Sequence, residues 1–246
     1  MGITGTDVAK NTAEVILTDD NFATIVNAVE EGRIIFSNIK KFVFFLLSCN
    51  IGEIFIVFVA ILLGWEVPLL PIQLLWLNLV SDSFPAMALG VEPAEPDTMN
   101  KPPRNIKEAI LDRKMFGGIL AIAAGVAAAS LMSFYYAMER YAGDPDQLMH
   151  ARSIIFMTLI VSELLMSFSS RSRSYTMFRI GLFTNRTIWK ANLISLALTL
   201  AVMYMPFAAF VFKVEALPVN DWEIVLAFAF IPLVIGEIFK KIFRNK

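Results

Sequence analysis

The chain is poor in the side chains that most often build small catalytic or metal centres. It has a single cysteine, Cys49, and a single histidine, His150. One cysteine excludes an internal disulfide, and the two residues fall at opposite ends of the expected membrane, so they cannot share a metal. Cys49 is expected to pack in the first span, as free cysteines usually do. Charge is scarce too: 17% of residues are charged and 57% hydrophobic, with a mean hydropathy of +0.64. That balance excludes an ordinary soluble domain and identifies a membrane protein. The net charge of -1 adds nothing further, and no nucleic-acid partner is expected. Residues up to Asn21 are polar and of mixed charge, so no secretory signal is expected ahead of the apolar runs.

What the chain does have is long apolar runs. Six are of the length that crosses a bilayer, at 42–63, 69–91, 115–138, 154–168, 191–212 and 222–239, the fourth starting near Ala151. If the N-terminus is cytoplasmic, 18 of the 21 Lys and Arg lie on the inner side, leaving Arg140, Arg152 and Lys213 outside. The positive-inside rule therefore predicts a multi-pass integral membrane protein with both termini in the cytoplasm.

Ahead of the first run, residues 1–21 read as the tail of an α/β unit, with Val15, Ile16 and Leu17 as a short buried strand and Asp19, Asp20 and Asn21 as a turn and helix cap. From Phe22 the apolar spacing is helical, and no proline intervenes before Pro68. The pattern predicts one helix over 22–63, about 60 Å long at about 1.5 Å per residue. Its first half is polar on one face and its second half apolar, so it is a stalk running from water into lipid. The connection 64–68 is short, which makes the first two spans an antiparallel pair. Pro85, three residues after Asp82, predicts a break beside that carboxylate. Asn105 and Glu108 have the spacing of a capping box. Gly117, Gly118 and the alanines over 121–129 suit close helix packing, and the basic, Ser-rich segment 171–186 reads as a solvated inner loop.

Polar residues inside the runs carry the functional signal. Asn50 and Glu53 sit one helical turn apart in the first run; Asn78, Ser81 and Asp82 repeat the arrangement in the second. Residues three and four apart share a helix face. Glu163 adds a third carboxylate in the middle of the fourth run. A carboxylate at membrane depth costs about 2.5–3.5 kcal/mol even on lenient scales, so such groups pair, line a path or bind something. Hard cations such as calcium take about six to eight oxygen ligands of mixed type, and carboxylates, amides and a hydroxyl are the inventory here. Structural bonding between helices is the alternative for each residue taken singly. Gln73 and Glu237, nearer the ends of their runs, keep that structural reading.

Residues 1–20, MGITGTDVAKNTAEVILTDD, with NFATIVNAVEEGRIIFSNIKKF after them, resemble the end of the phosphorylation domain and the stalk of P-type cation-transporting ATPases. NIGE at 50–53 and LLWLNLVSDSFPAMALG at 74–90 resemble the fifth and sixth transmembrane helices of the calcium-pump class, close to the sarco/endoplasmic reticulum type. The resemblance covers essentially the whole chain and implies that family's last six helices. It implies an all-α membrane protein of six transmembrane helices with a long cytoplasmic stalk and a short remnant of an α/β phosphorylation domain. Residues 1–33 would be domain end and stalk, and 34–246 the transmembrane domain.

Carried over residue by residue, the resemblance implies one calcium site from Asn50, Glu53, Ser81, Asp82 and Glu163, with Ser81 where that type has threonine. Asn78 and Asp82 would serve a second site, completed by the family's fourth transmembrane helix. Calcium would be the transported ion, leaving the cytosol across what is expected to be a bacterial plasma membrane. Carboxylates emptied of calcium while still desolvated would take up protons, which gives proton countertransport a physical reason. The family's Asp-Lys-Thr-Gly-Thr motif does not occur in the sequence. ATP and Mg2+ would therefore act in parts of the parent pump outside this chain: its phosphorylation, nucleotide and actuator domains, which with the first four helices and membrane lipid are the implied partners. The chain alone is expected to be inactive. A sodium or sodium/potassium-type pump, or a non-catalytic cation pathway or assembly subunit, are the alternatives.

Overall fold

The structure, a computed structural model, describes residues 1–100, 102–103 and 109–243. A short helix, α1 (Asp7–Thr12), starts where the Thr6 hydroxyl accepts from the Ala9 amide. A turn then leads into α2 (Phe22–Leu62), 41 residues without interruption. The Asn21 side chain caps α2 by accepting from the Ala23 amide at 3.0 Å. Asp19 supports the cap from the Asn21 amide (3.1 Å) and the Thr24 hydroxyl (2.5 Å). The expected turn and cap are therefore present, and the stalk and first span are one helix. Its far end closes at Gly64, whose φ of +68° favours glycine. There Gly64 N–H donates to Ile61 and Trp65 N–H to Ala60, a pairing that satisfies the last carbonyls.

Residues 15–17 form no strand, and no strand occurs among the described residues. Val15 is 78% exposed, so the short buried strand expected there is corrected. The physical reason is pairing: a strand needs a neighbour, and the one backbone bond here is Gly2 N–H to the Leu17 carbonyl.

The second apolar run is in three pieces. It begins as α3 (Pro71–Trp76), widens into a π-helical turn over Leu77–Ser81, and continues as α4 (Ser83–Gly90). Asp82 N–H reaches back to the Leu77 carbonyl at 2.9 Å, five residues away, which is the extra residue of a π-turn. Pro85 follows at the start of α4 and has no N–H to donate. The expected break is there, but its form is a widened turn centred before Asp82 rather than a kink at the proline. The two amide and hydroxyl groups of Asn78 and Ser81 fall within or at the end of that turn.

Beyond it come α5 (Arg113–Arg140), α6 (Gln147–Ser170), the short α7 (Met177–Ile180), α8 (Arg186–Tyr204), α9 (Pro206–Phe212) and α10 (Trp222–Phe243). The fifth expected run divides at Met205, extended in front of Pro206. Five segments are long and apolar enough to cross a membrane: α2, α5, α6, α8 and 219–242. The Asn105 and Glu108 capping box lies outside the described residues.

Helix α5 packs against α2, α6 and α10, and α4 lies against α2 and α8. The small residues of α5 make this close approach possible. A side chain on Gly118 would meet Phe44 and Phe239 at 3.2 and 3.1 Å, and one on Gly125 would meet Ile235 at 2.7 Å. From the facing helix, Gly52 of α2 leaves room for Val126. The main core, with Ile56, Leu77, Ile119, Phe134, Ile155 and Val225, fills the space between these helices.

Polar ties fix the connections. Gln73 accepts from Leu70 N–H at 2.9 Å and donates to the Phe212 carbonyl at 3.1 Å. Both oxygens of Glu237 are used, by the Ser169 hydroxyl, the Met177 amide and Lys240. These two residues have the structural roles expected of them. Arg171 does not match its expected place in a solvated loop, being 1% exposed. Its guanidinium grips Glu92 at 2.8 Å and donates to the Gly181 carbonyl and the Thr184 hydroxyl. Asn185 completes the knot by donating to Glu92 at 2.6 Å. The stalk joins it through Asn38, which donates to the Glu92 and Gly90 carbonyls.

Candidate functional site

Three elements bring the intramembrane carboxylates together. Continuous helical spacing on α2 places Glu53 one turn beyond Cys49, on the side of α2 that carries Gly52 and Ile56 into the core. The π-turn ends at Ser81 and hands Asp82 to the start of α4. Helix α6 is buried along most of its length and carries Glu163 at its middle. Glu53 is 5% exposed, and Ser81, Asp82 and Glu163 are fully buried. One oxygen each of Asp82 and Glu163 lies within 4.8 Å of the other.

Hydrogen bonding leaves this cluster short of donors. Both oxygens of Asp82, both oxygens of Glu163, one oxygen of Glu53 and the Ser81 hydroxyl are buried without a hydrogen-bond partner. The large majority of buried side-chain polar atoms in folded proteins are paired, so six orphaned oxygens from four buried residues need an explanation. Unpaired buried carboxylates cost several kcal/mol each if ionised, and a cation or protons would relieve that cost. The donor set fits a hard cation: it is oxygen-rich, anionic and drawn from separate helices.

The six sequence-predicted residues are not all placed alike. Asp82 and Glu163 lie together, and Glu53 and Ser81, the latter next to Asp82 in the chain, are buried as well. Asn78 donates to Glu53 Oε2 at 2.9 Å, but is otherwise exposed and also donates to the Leu74 carbonyl. Asn50 is half-buried, and its amide donates along its own helix to the Leu46 carbonyl at 2.8 Å. One neighbour was not anticipated. Cys49 packs as expected, beside Phe45, Ala86 and Leu89, yet a sulfur and one oxygen each of Asp82 and Glu163 lie within 4.8 Å of one another. The signal available was the i, i+4 spacing of Cys49 and Glu53. His150, in contrast, is remote from this cluster in its contacts: it stacks on Tyr141 and pairs with Glu215 at 2.8 Å.

Comparison with known proteins places this geometry in a family. The model described as "Cation transporting ATPase, C-terminus" matches residues 66–242. Calcium-transporting ATPase 1 of Bacillus cereus is 44% identical over 100% of this chain, which covers 29% of that relative. The calcium-transporting ATPase of Bacillus subtilis is 40% identical over 94% of the chain and 26% of the relative. The human calcium-transporting ATPase type 2C member 1 is 36% identical over 100% of the chain and 26% of the relative. The chain thus spans between about a quarter and 29% of the length of these relatives. With a family match that runs from the turn after α2 almost to the end of α10, the chain belongs to the C-terminal region of the cation-transporting ATPases.

Proposed function

We propose that this chain is the ion-holding membrane part of an ATP-driven calcium pump that moves Ca2+ out of the cytosol, with protons returning on the emptied carboxylates. The observation that carries the reading is the buried set of Glu53, Asp82 and Glu163, five of whose six oxygens lack internal donors. Relatives named as calcium-transporting ATPases, matched over 90% or more of this chain, support calcium as the cargo. Asn50, Glu53, Ser81, Asp82 and Glu163 form the first site in this reading, and Asn78 with Asp82 the second. The likeness to the sarco/endoplasmic reticulum type rests on these ligand positions. Asn50 would have to turn its amide oxygen from the helix to the ion.

The interrupted segment α3 to α4 is the sixth span in this reading, because together its three pieces equal the length of a crossing. Residues 1–33 are the end of the phosphorylation domain and the stalk, and 34–246 the transmembrane domain. Both termini face the cytoplasm, in agreement with the placement of Lys and Arg, and the membrane is the bacterial plasma membrane. The rest of the pump supplies ATP and Mg2+ binding, the phosphorylated aspartate and the first four helices. Asn78 is exposed beside the exposed Leu75 and Leu79 of its own segment, as are Ile54 and Phe58 on α2 near its partner Glu53. A polar ligand on an apolar face suits coverage by those further helices.

The test is calcium-activated phosphorylation of a full-length pump carrying this segment. Asp82→Asn, which affects both sites, should abolish it at any practical calcium concentration. Normal transport by that variant would remove Asp82 from the site, and activation by sodium in place of calcium would move the reading to a sodium pump.

A further inference from the structure

The calcium reading explains the carboxylates but gives the sulfur no task. Cys49 is 1% exposed on α2, Asp82 and Glu163 are fully buried on two other elements, and one ligand atom from each lies within 4.8 Å of the other two. Three atoms that close can all stand about 2.8 Å from a common centre. Zinc takes Cys sulfur at about 2.3 Å and carboxylate oxygen at about 2.0–2.2 Å, so closing the set asks for a shift of well under 1 Å per atom. The independent sign of a ligand is the orphaned state of both carboxylates, all four oxygens buried without a partner. Calcium binds through oxygen and gains little from a thiol. Soft sulfur donors select zinc-like ions, cadmium and Cu(I) instead.

We propose that Cys49, Asp82 and Glu163 form a mixed thiol and carboxylate site for a thiophilic divalent cation, Zn2+ or its analogue Cd2+. The proposal rests on the reading of Asp82 and Glu163 as ion ligands. One bond forms from sulfur to the metal and the S–H bond breaks, its proton leaving to solvent, with no change of oxidation state. Two carboxylate oxygens complete three protein ligands, and a fourth position is left for water or another donor. An ion held there occupies two of the residues assigned to calcium, so micromolar zinc or cadmium acts as a blocker of the same site.

Cys49 is the only cysteine of the chain, which makes the experiment clean. The purified chain in detergent is titrated with Cd2+, and the ultraviolet band of sulfur-to-cadmium charge transfer is recorded. The expected result is a saturable band with one Cd2+ per chain. It should vanish in Cys49→Ser and Cys49→Ala, with Cd2+ affinity lowered about tenfold or more in Asp82→Asn and in Glu163→Gln. Absence of the band, or a band of unchanged affinity in both carboxylate variants, overturns the proposal, the latter by reducing the site to a lone thiol. Labelled calcium binding to the full-length pump separates the two readings. Calcium bound without a cadmium band refutes the thiol site alone, and a carboxylate-dependent cadmium band without calcium binding refutes calcium as cargo alone.

Discussion

Replacing Arg171 with methionine would leave Glu92 as a buried carboxylate held, among the described residues, by Asn185 alone, and would remove one of the two donors to the Gly181 carbonyl, leaving the Thr184 hydroxyl. The Arg171 and Glu92 side chains are 1% and 3% exposed, with a closest contact of 2.8 Å. Breaking a buried pair by removing one partner typically costs about 3–5 kcal/mol, mostly because the other charge is stranded. The nearby Arg173 and Asp112 pair is 29% and 41% exposed and serves as the control, where removal should cost about 0–1 kcal/mol. Equilibrium unfolding in mixed micelles, run for Arg171→Met, Glu92→Gln and the double variant, gives both numbers. The double variant should regain part of the loss, with a coupling of about 0.5–3 kcal/mol. An Arg171→Met loss below about 1 kcal/mol, or strictly additive variants, would mean that the buried pair does not hold the α6 to α8 connection to the end of α4.

In a full-length pump, Glu163→Gln should remove one of the two proposed calcium sites and the cooperativity between them, as read by equilibrium binding of labelled calcium; unchanged stoichiometry and affinity would make Glu163 structural. Gly117 has open space around an added Cβ, so Gly117→Ala should raise stability by up to about 1 kcal/mol, whereas Gly52→Leu drives atoms into Val126 and should cost about 1–3 kcal/mol. Equal effects of the two in micelle unfolding would contradict the packing described for α2 and α5. Asp20 accepts from the Thr4 hydroxyl and from the amides of Thr4 and Ile3, and the Thr4 hydroxyl foremost holds its pKa down at about 2 instead of 3.8. A depressed acid stabilises above its ordinary pKa, so protection of the Ile3 and Thr4 amides in hydrogen exchange should be complete above 3.8 and fade as pH falls through about 2. Protection that ignores pH over that window would exclude the carboxylate as its source.

Several parts of this fold were legible because they depend on local chemistry. The cap at Asn21, the unbroken run of α2 and a break near Asp82 follow from residues a few positions apart, though the π-turn that forms the break does not. The structural roles of Gln73 and Glu237 followed from their places near the ends of spans. Residues 15–17 were misread because an apolar triplet becomes a strand only beside a partner, and pattern alone does not supply one. Arg171 was misread for the opposite reason: a basic, serine-rich segment looks solvated until Glu92, 79 positions away, is brought to it. At the candidate site, periodicity put Asn50 and Glu53 one turn apart but does not show which hydrogen bonds their side chains make. Hence the amide of Asn50 bonding to Leu46 is a side-chain choice that spacing leaves open, and the sulfur of Cys49 approaching Asp82 and Glu163 emerges only when α2, α4 and α6 are packed.

The unbroken α2 has a mechanical consequence. Gly52 is a place where it meets α5 closely, at Val126, and Glu53 is the next residue, about 1.5 Å along the axis, whereas Phe22 is about 45 Å away. For a rod pivoting near Gly52, swinging the outer end sideways by about 5 Å displaces the Glu53 backbone by less than about 0.2 Å, because the two arms differ some thirtyfold in length. Sliding the rod along its axis, or turning it about that axis, delivers the whole movement to Glu53. A lever that is nearly silent to tilt but faithful to thrust and torque would pass only those two motions from the polar end of the helix to the carboxylates.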